Sequence, residues 1–272
     1  MRTLPGSFAP AAVAAVDGLL DDVVEQEHVA VVVAVESGSR AWGFPSPDSD
    51  YDCRFVYVRR VEAYLDPWPP RDVIERVPDA VLDVNGWDLQ KAVGLLVRGN
   101  AVITEWLRSP LVYRAEPGFV ADFLALADEV ADRALVGRHY QGVGRGQLRR
   151  FLTEDGEMPL KKAFYALRPA LALRWLDLHP DVAIPPMDLP SLVAGSDLPA
   201  AVVEAVEGLV EEKALGREMR SGPVPVVLRQ VVEHELRDRD WLDVRRSAAG
   251  LRAARASATA YFLAAVERYA PA

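Results

Sequence analysis

The order of apolar and polar positions divides the chain into a mixed first part and a helical remainder. Apolar residues recur at helical spacing over about residues 9–27, and the continuously apolar, β-branched run HVAVVVAV follows at residues 28–35. A run of this length and type is typical of a strand that is buried on both faces of a sheet. Further strands are predicted over residues 51–60, 72–77 and 80–87.

Nearly every later segment has apolar residues at the spacing of a helix. The predicted helical segments cover residues 89–100, 101–110, 116–152, 159–179, 198–218 and 226–269. This change of pattern predicts an α+β protein, in which a small mixed β-sheet domain at residues 1–112 is followed by a helical domain at residues 113–272.

Composition narrows the class of protein. Cys53 is the single cysteine among 272 residues, which excludes an internal disulfide framework. No apolar run reaches the length of a membrane helix, so we expect a cytoplasmic protein without a membrane partner. The net charge of −9 excludes a uniformly basic surface that would coat a nucleic acid, although a local basic patch is compatible with it.

The stretch from Glu36 to Val58 has the pattern of a candidate active site. It contains the end of a buried strand, a Gly-Ser turn, a predicted short helix SRAWG, an acidic loop and a second strand. Alternate residues of a strand project from the same face, so Asp50 and Asp52 are expected to point together with α-carbons about 7 Å apart. These two carboxylates therefore form a candidate metal site.

Carboxylate and phosphate oxygens are the ligands that Mg²⁺ and Mn²⁺ prefer. Two such ions about 4 Å apart can activate an attacking hydroxyl and stabilise a leaving pyrophosphate. Gly38, which has no side chain, would let a phosphate approach the backbone, and Ser39 at the start of the predicted short helix would offer a hydroxyl and amide donors. We therefore expect the triphosphate of an NTP to bind at Gly38 and Ser39.

A third carboxylate is expected on the next strand. Asp83 lies inside the apolar strand pattern, whereas Asp88 directly precedes the run LQKAVGLL and has the position of a helix N-cap. Asp83 is therefore preferred as the third metal ligand and as the general base, with Asp88 as the competitor. Glu36 is left open between a fourth carboxylate and an ordinary residue at a strand end.

Two motifs carry a resemblance to known families. The sequence GSRAWGF, followed by DSDYD and an apolar strand, resembles the signature of the DNA polymerase β-like nucleotidyltransferases. The runs DVNGWDLQKAVGLLVRGNAVITEWLRSPLVY and LKKAFYALRPALALRWL resemble the RlaP family, which is associated with RNA repair. The resemblance covers most of residues 30–190.

The resemblance implies a polymerase β-like nucleotidyltransferase core with two Mg²⁺ or Mn²⁺ ions at Asp50, Asp52 and Asp83. It implies transfer of a nucleoside monophosphate from an NTP to an acceptor hydroxyl, with an RNA end in repair as the expected acceptor. Two alternatives stay open, namely a hydroxyl of a partner protein and a catalytically silent nucleotide-binding protein.

Several cations are candidates for substrate contacts. Arg40 and Arg54 could each meet a phosphate, although pairing of an arginine with nearby carboxylates is the commoner outcome, and Arg40 is retained as a candidate. Lys162 and Arg168 lie on a predicted cationic helix face beside Tyr165, which suits nucleotide phosphates or an RNA end. The alternative is a helix whose aromatic residues pack in the core and whose charges are solvated.

Overall fold

The computed structural model describes residues 1–77, 81–215 and 221–272 of the chain. The chain forms two compact units. The first contains Met1–Ala41, Ser49–Val130 and Arg246–Ala272, and the second contains Trp42–Asp48 and Ala131–Arg245. The units are interleaved along the sequence, whereas the predicted domains 1–112 and 113–272 are continuous stretches of chain.

A five-stranded mixed sheet forms the centre of the first unit. Its strands are β1 (Ala30–Glu36), β2 (Tyr51–Val58), β3 (Val73–Arg76), β4 (Leu82–Asp88) and β5 (Val112–Ala115). Their order is β3-β4-β2-β1-β5; β2 and β4 are parallel and the other pairs are antiparallel. The mixed sheet confirms the predicted fold class, and β1 is buried at every position after its first residue. Position 80 of the fourth predicted strand lies outside the described residues.

Helices make up most of the remaining chain, as predicted. They are α1 (Pro10–Glu27), α2 (Val61–Leu65), α3 (Leu89–Val97), α4 (Ala101–Arg108), α5 (Phe119–Val130), α6 (Arg133–Phe151), α7 (Leu160–Leu178), α8 (Leu189–Ala194), α9 (Ala200–Ala214), α10 (Val226–Glu235) and α11 (Ala248–Tyr269), with a 3₁₀ turn at Asp240–Asp243. No helix in the described part of the chain is long and apolar enough to cross a membrane.

Two predicted helical segments are divided in the structure, and one strand was not predicted. Residues 116–152 were predicted as one helical stretch, but Asp132 ends the continuity because its side chain accepts a hydrogen bond from the Leu135 amide and caps a new helix. The stretch 226–269 is likewise divided into α10, the 3₁₀ turn and α11. The last residues of the helix predicted at 198–218 lie outside the described residues. β5 was not predicted, since four residues are too short to establish a period of two.

The core of the first unit lies between α1 and one face of the sheet. α1 presents Val16, Leu20 and Val23 on a single stripe, because these residues recur at helical spacing. They pack with buried strand residues, including Cys53 and Phe55. Cys53 is thus a buried core residue with a free thiol.

The second unit is helical apart from a two-stranded antiparallel sheet. Its strands are β6 (Glu157–Pro159) and β7 (Ser221–Pro223). α7 is the central helix and is buried along most of its length. Within this unit the Phe44 ring stacks on Phe164 of α7 at 4.4 Å, which attaches the Trp42–Asp48 segment.

Strand directions bring three acidic residues to one edge of the sheet. β2 and β4 are parallel, so both begin at this edge, and the antiparallel β1 ends there. Glu36 is the last residue of β1, and Asp52 and Asp83 are second in their strands. Glu36, Asp52 and Asp83, which are 16 to 47 positions apart in sequence, therefore meet at this edge through the strand pairing.

Candidate active site

Asp52 and Asp83 lie opposite each other on the parallel strands β2 and β4. Their side chains converge, because Nη2 of Arg54 donates to both of them, at 3.0 Å to Asp52 Oδ1 and 2.7 Å to Asp83 Oδ2. Two of the predicted carboxylates are thus gathered around one position. Arg54 pairs with carboxylates, which is the outcome expected of an arginine in this setting.

Gly38 lies directly against the Asp52 carboxylate. Its φ of +96° is in the left-handed region that favours glycine, and a Cβ atom added there would lie 2.2 Å from Asp52 Oδ2. The amide of Ser37 also donates to the Asp52 backbone oxygen at 2.8 Å. The Gly-Ser motif therefore lies next to the acidic edge, and the phosphate contact of Gly38 stays a prediction.

The segment after Gly38 was predicted as a short helix, and this prediction was wrong. Residues 39–43 form consecutive turns, because Gly38 and Gly43 both adopt positive φ and end any helical path. Ser39 therefore does not begin a helix. Its hydroxyl is buried and donates to the Ser49 hydroxyl at 2.9 Å, which links the turn to the start of the acidic strand.

Arg40 holds the loop that leads into β2. Its Nη2 donates to the Ser49 carbonyl at 2.6 Å, and its Nε donates to the Asp50 carbonyl at 3.2 Å. The guanidinium carbon lies 4.1 Å from the centre of the Tyr51 ring. Arg40 thus fixes the backbone on either side of Asp50, and a contact of Arg40 with substrate remains a prediction.

Asp50 precedes the first residue of β2 and is partly exposed. Within the described residues, no three Asp, Glu, His or Cys side chains are grouped closely enough to hold a metal ion. The structure thus brings Asp52 and Asp83 together without adding Asp50 as a third member of one group. The metal role of all three carboxylates stays a prediction.

Glu36 is completely buried at the end of β1 and lies beneath the acidic edge. Its Oε1 accepts from the Asp52 amide at 2.9 Å, and its Oε2 accepts from the Tyr113 hydroxyl at 2.6 Å. The Ser109 hydroxyl donates to the Glu36 backbone oxygen at 2.6 Å. Glu36 thus links β1 to the neighbouring strands and supports the backbone of Asp52.

Burial raises the pKa of Glu36 to about 7. Tyr113 and Ser109 were not identified from the sequence, because they belong to the unpredicted strand β5 and to the turn before it. The signal in the sequence for this strand was the short apolar run LVY at residues 111–113.

The pH dependence of stability provides a test of this buried carboxyl group. Because folding raises the pKa of Glu36, the native state binds its proton more tightly than the unfolded chain does. The stability that this proton provides is lost as pH rises from about 5 to about 8. We expect the unfolding free energy to fall by about 2 kcal/mol over this range through Glu36 alone. Glu36→Gln mimics the protonated form. Its free energy of unfolding, measured with urea in EDTA, should therefore fall less between these pH values than that of the unchanged protein. Equal falls in the two proteins would show that Glu36 does not titrate on unfolding.

Asp88 has the structural role predicted from its position before an apolar helix. Its side chain accepts from the Gln90 amide at 2.8 Å, which confirms the N-cap of α3, and pairs with Arg59 at 3.1 Å. Asp88 lies five residues beyond Asp83 along β4, which corresponds to about 17 Å. Asp83 is therefore the carboxylate beside Asp52, and Asp88 lies at the other end of the strand.

Lys162 and Arg168 belong to the second unit. Arg168 is buried, its guanidinium lies 4.2 Å from the Trp42 ring centre, and its Nη1 donates to the Met187 carbonyl. The Lys162 ammonium lies 4.9 Å from the centre of the Tyr165 ring. Both cations thus contact aromatic rings of their own unit, and their contact with phosphate stays a prediction.

Comparison with known proteins places the chain in a DNA polymerase β family. The matching family model is RlaP, described as an RNA repair pathway DNA polymerase beta family, and it covers residues 13–258, so the chain belongs to this family. The resemblance noted in the sequence motifs is thereby confirmed. Family membership supports a nucleotidyl-transfer role for the chain.

Two individual proteins are similar to the chain. The uncharacterized protein YcgL of Bacillus subtilis (strain 168) is 39% identical over 218 residues, which cover 78% of this chain and 81% of YcgL. A crystal structure of a nucleotidyltransferase-like protein from Exiguobacterium sibiricum 255-15 aligns over 94% of this chain and 80% of that chain, with 14% identity and a TM-score of 0.29.

Proposed function

We propose that this protein is a metal-dependent nucleotidyltransferase that transfers a nucleoside monophosphate from an NTP to an acceptor hydroxyl and releases pyrophosphate. The observation that supports the proposal most directly is the convergence of Asp52 and Asp83 on the Arg54 Nη2 beside the Gly38 backbone. This cluster of two carboxylates and one guanidinium suits phosphoryl transfer, a reaction in which charge stabilisation and positioning supply most of the catalysis.

The residues at this edge fit a divalent cation. Asp52 and Asp83 present carboxylate oxygens, the ligand type that Mg²⁺ and Mn²⁺ prefer, and one cationic nitrogen already contacts both. In the proposed site Asp52 and Asp83, joined by Asp50, would hold the ions. The bound ions would activate the acceptor hydroxyl and stabilise charge on the departing pyrophosphate.

Residues of the chain would accept the proton and bind the phosphates. Asp83 is the proposed general base and would accept the proton of the acceptor hydroxyl. Gly38 and Ser39 are the proposed triphosphate contacts, because Gly38 lies directly against the Asp52 carboxylate that would hold a metal ion. Arg40, Lys162 and Arg168 are proposed as additional phosphate contacts.

An RNA end is the proposed acceptor, because the description of the family names an RNA repair pathway. The test is incubation of the purified protein with each of the four NTPs, labelled at the α-phosphate, together with Mg²⁺ or Mn²⁺ and mixed RNA and protein acceptors. We expect label on RNA, with pyrophosphate released in equal amount. Label on protein alone would contradict the RNA acceptor, and absence of label under every condition would contradict nucleotidyl transfer.

Asp83 and Asp88 give a matched pair of variants for the third carboxylate. We expect Asp83→Asn to lower metal-dependent transfer by at least about a hundredfold, since it removes both a proposed ligand and the proposed base. Asp88→Asn should retain transfer in the folded protein but lose about 1 kcal/mol of stability, because it removes the charged pair with Arg59 while asparagine still caps α3. Initial rates and urea midpoints separate the two effects, and the reverse pattern would assign the catalytic role to Asp88.

A further inference from the structure

Arg54 lies between the two acidic side chains on which the proposed function depends. Its Nη2 contacts Asp52 Oδ1 at 3.0 Å and Asp83 Oδ2 at 2.7 Å. Its Nη1 donates to the backbone carbonyl of Asp83 at 2.9 Å and to that of Cys53 at 3.2 Å. One guanidinium is therefore fixed by the backbone of both strands while its second nitrogen neutralises both carboxylates.

The surroundings of this ion pair make it stronger than an ordinary surface contact. The Arg54 side chain is only 19% exposed, and the side chains of Asp52 and Asp83 are 28% and 42% exposed. Two carboxylates that share one nitrogen are close enough to repel each other, and partial burial reduces the screening of this repulsion by water. The positive charge of Arg54 thus keeps the two acidic side chains turned toward each other.

The guanidinium and a divalent metal ion require the same oxygens. An ion that binds Asp52 Oδ1 and Asp83 Oδ2 together must take the position in which the Arg54 Nη2 makes its two contacts. We propose that Arg54 is an internal competitor of the metal ions, so that occupancy of the site is decided by exchange of the guanidinium for a divalent cation. This inference rests on the proposed function, because it requires Asp52 and Asp83 to be metal ligands.

The exchange gives Arg54 a regulatory role at the site. An ion must replace two charge-assisted contacts before it gains its own, so weakly bound cations are rejected. An ion that arrives with the phosphates of a nucleotide brings additional oxygen ligands and is favoured over the free ion. Arg54 is therefore a positioning residue that sets the metal affinity of the site.

Direct measurement of Mn²⁺ binding tests the competition without any need for turnover. The full-length protein is treated with EDTA and dialysed, and bound Mn²⁺ is then followed by the loss of the free-ion electron paramagnetic resonance signal. We expect Arg54→Gln to bind Mn²⁺ about tenfold more tightly than the unchanged protein, which corresponds to about 1.4 kcal/mol. Adding a non-hydrolysable NTP should reduce this difference.

Arg59→Gln is the matched control. It removes one positive charge from the first unit and breaks a more deeply buried Arg–Asp ion pair, at the other end of β2 from the acidic edge. It should bind Mn²⁺ with the affinity of the unchanged protein, whereas Asp52→Asn should bind it much more weakly. If carboxylate repulsion unfolds Arg54→Gln, Arg54→Lys replaces the fork by one flexible ammonium and should still bind Mn²⁺ more tightly than the unchanged protein.

The outcomes distinguish failure of this inference from failure of the proposed function. Unchanged or weaker Mn²⁺ binding in both Arg54 variants, with binding lost in Asp52→Asn, would overturn the competition and leave the metal site intact. Absence of Mn²⁺ binding in every protein, including Arg54→Gln, would overturn the metal site and the competition together. An equal gain of affinity in Arg59→Gln would show that net charge alone sets the affinity.

Discussion

Replacement of Asp52 by asparagine is expected to lower nucleotidyl transfer by at least about a thousandfold. The variant removes a charged ligand from the centre of the proposed metal site, where the ion contributes several kcal/mol of charge stabilisation in the transition state. Each 1.36 kcal/mol corresponds to about a tenfold change in rate. Single-turnover measurements at saturating Mn²⁺ would report the chemical step, and pyrophosphate release would report it independently of the acceptor.

Asp21→Asn is a suitable control for the Asp52 variant. Asp21 also pairs with an arginine in the first unit, at 2.7 Å from Arg114, but its side chain is 69% exposed on α1. The control should keep the full rate and nearly the full stability, since exposed ion pairs contribute little. If Asp52→Asn retained metal-dependent transfer at the rate of the control, the assignment of Asp52 as a metal ligand would be wrong.

Gly86→Ala is expected to destabilise the first unit by about 3 kcal/mol. Gly86 of β4 lies opposite Phe55 of β2, and a Cβ atom at position 86 would lie 2.1 Å from the Phe55 ring. Phe55 is fully buried within the core of the first unit, so its ring can move away only by displacing other core residues. Overpacking of this kind forces side chains out of their rotamers and shifts the backbone. Urea unfolding followed by tryptophan fluorescence would measure the loss.

Gly94→Ala is expected to stabilise the same unit. Gly94 lies inside α3, and a Cβ atom there would meet only the flexible end of Arg98, at 3.4 Å. Alanine is favoured over glycine in a helix, so the variant should gain about 0.5 to 1 kcal/mol. A loss of stability in Gly94→Ala equal to that in Gly86→Ala would show that the cost does not come from the Phe55 contact.

The contact of Phe55 with Gly86 also bears on the acidic edge. Phe55 and Gly86 lie three residues along their strands from Asp52 and Asp83, and the four residues are joined by one parallel register. A shift of this register by one residue would turn one carboxylate to the opposite face of the sheet. The close packing of Phe55 on Gly86 therefore helps to fix which acidic residues meet.

Local patterns in the sequence determined much of the fold. The β-branched run at residues 28–35 predicted the buried β1, and the position of Asp88 before an apolar helix predicted its N-cap. Both features depend on neighbouring residues, and their physical causes lie in the sequence itself. The predicted helix at 39–43 failed because the conformations of Gly38 and Gly43 depend on contacts made elsewhere in the chain.

The sequence by itself determined the fold class, the family motifs and the candidate carboxylates Asp50, Asp52 and Asp83. Only the tertiary structure decided that Asp52 and Asp83 share one arginine, that Glu36 is buried under the Asp52 amide, and that the two units are interleaved. The reason is that spacing along a strand fixes which face a side chain occupies, whereas the partner it meets depends on strand order and register. Strand order and register are set by packing between segments that are distant in the chain.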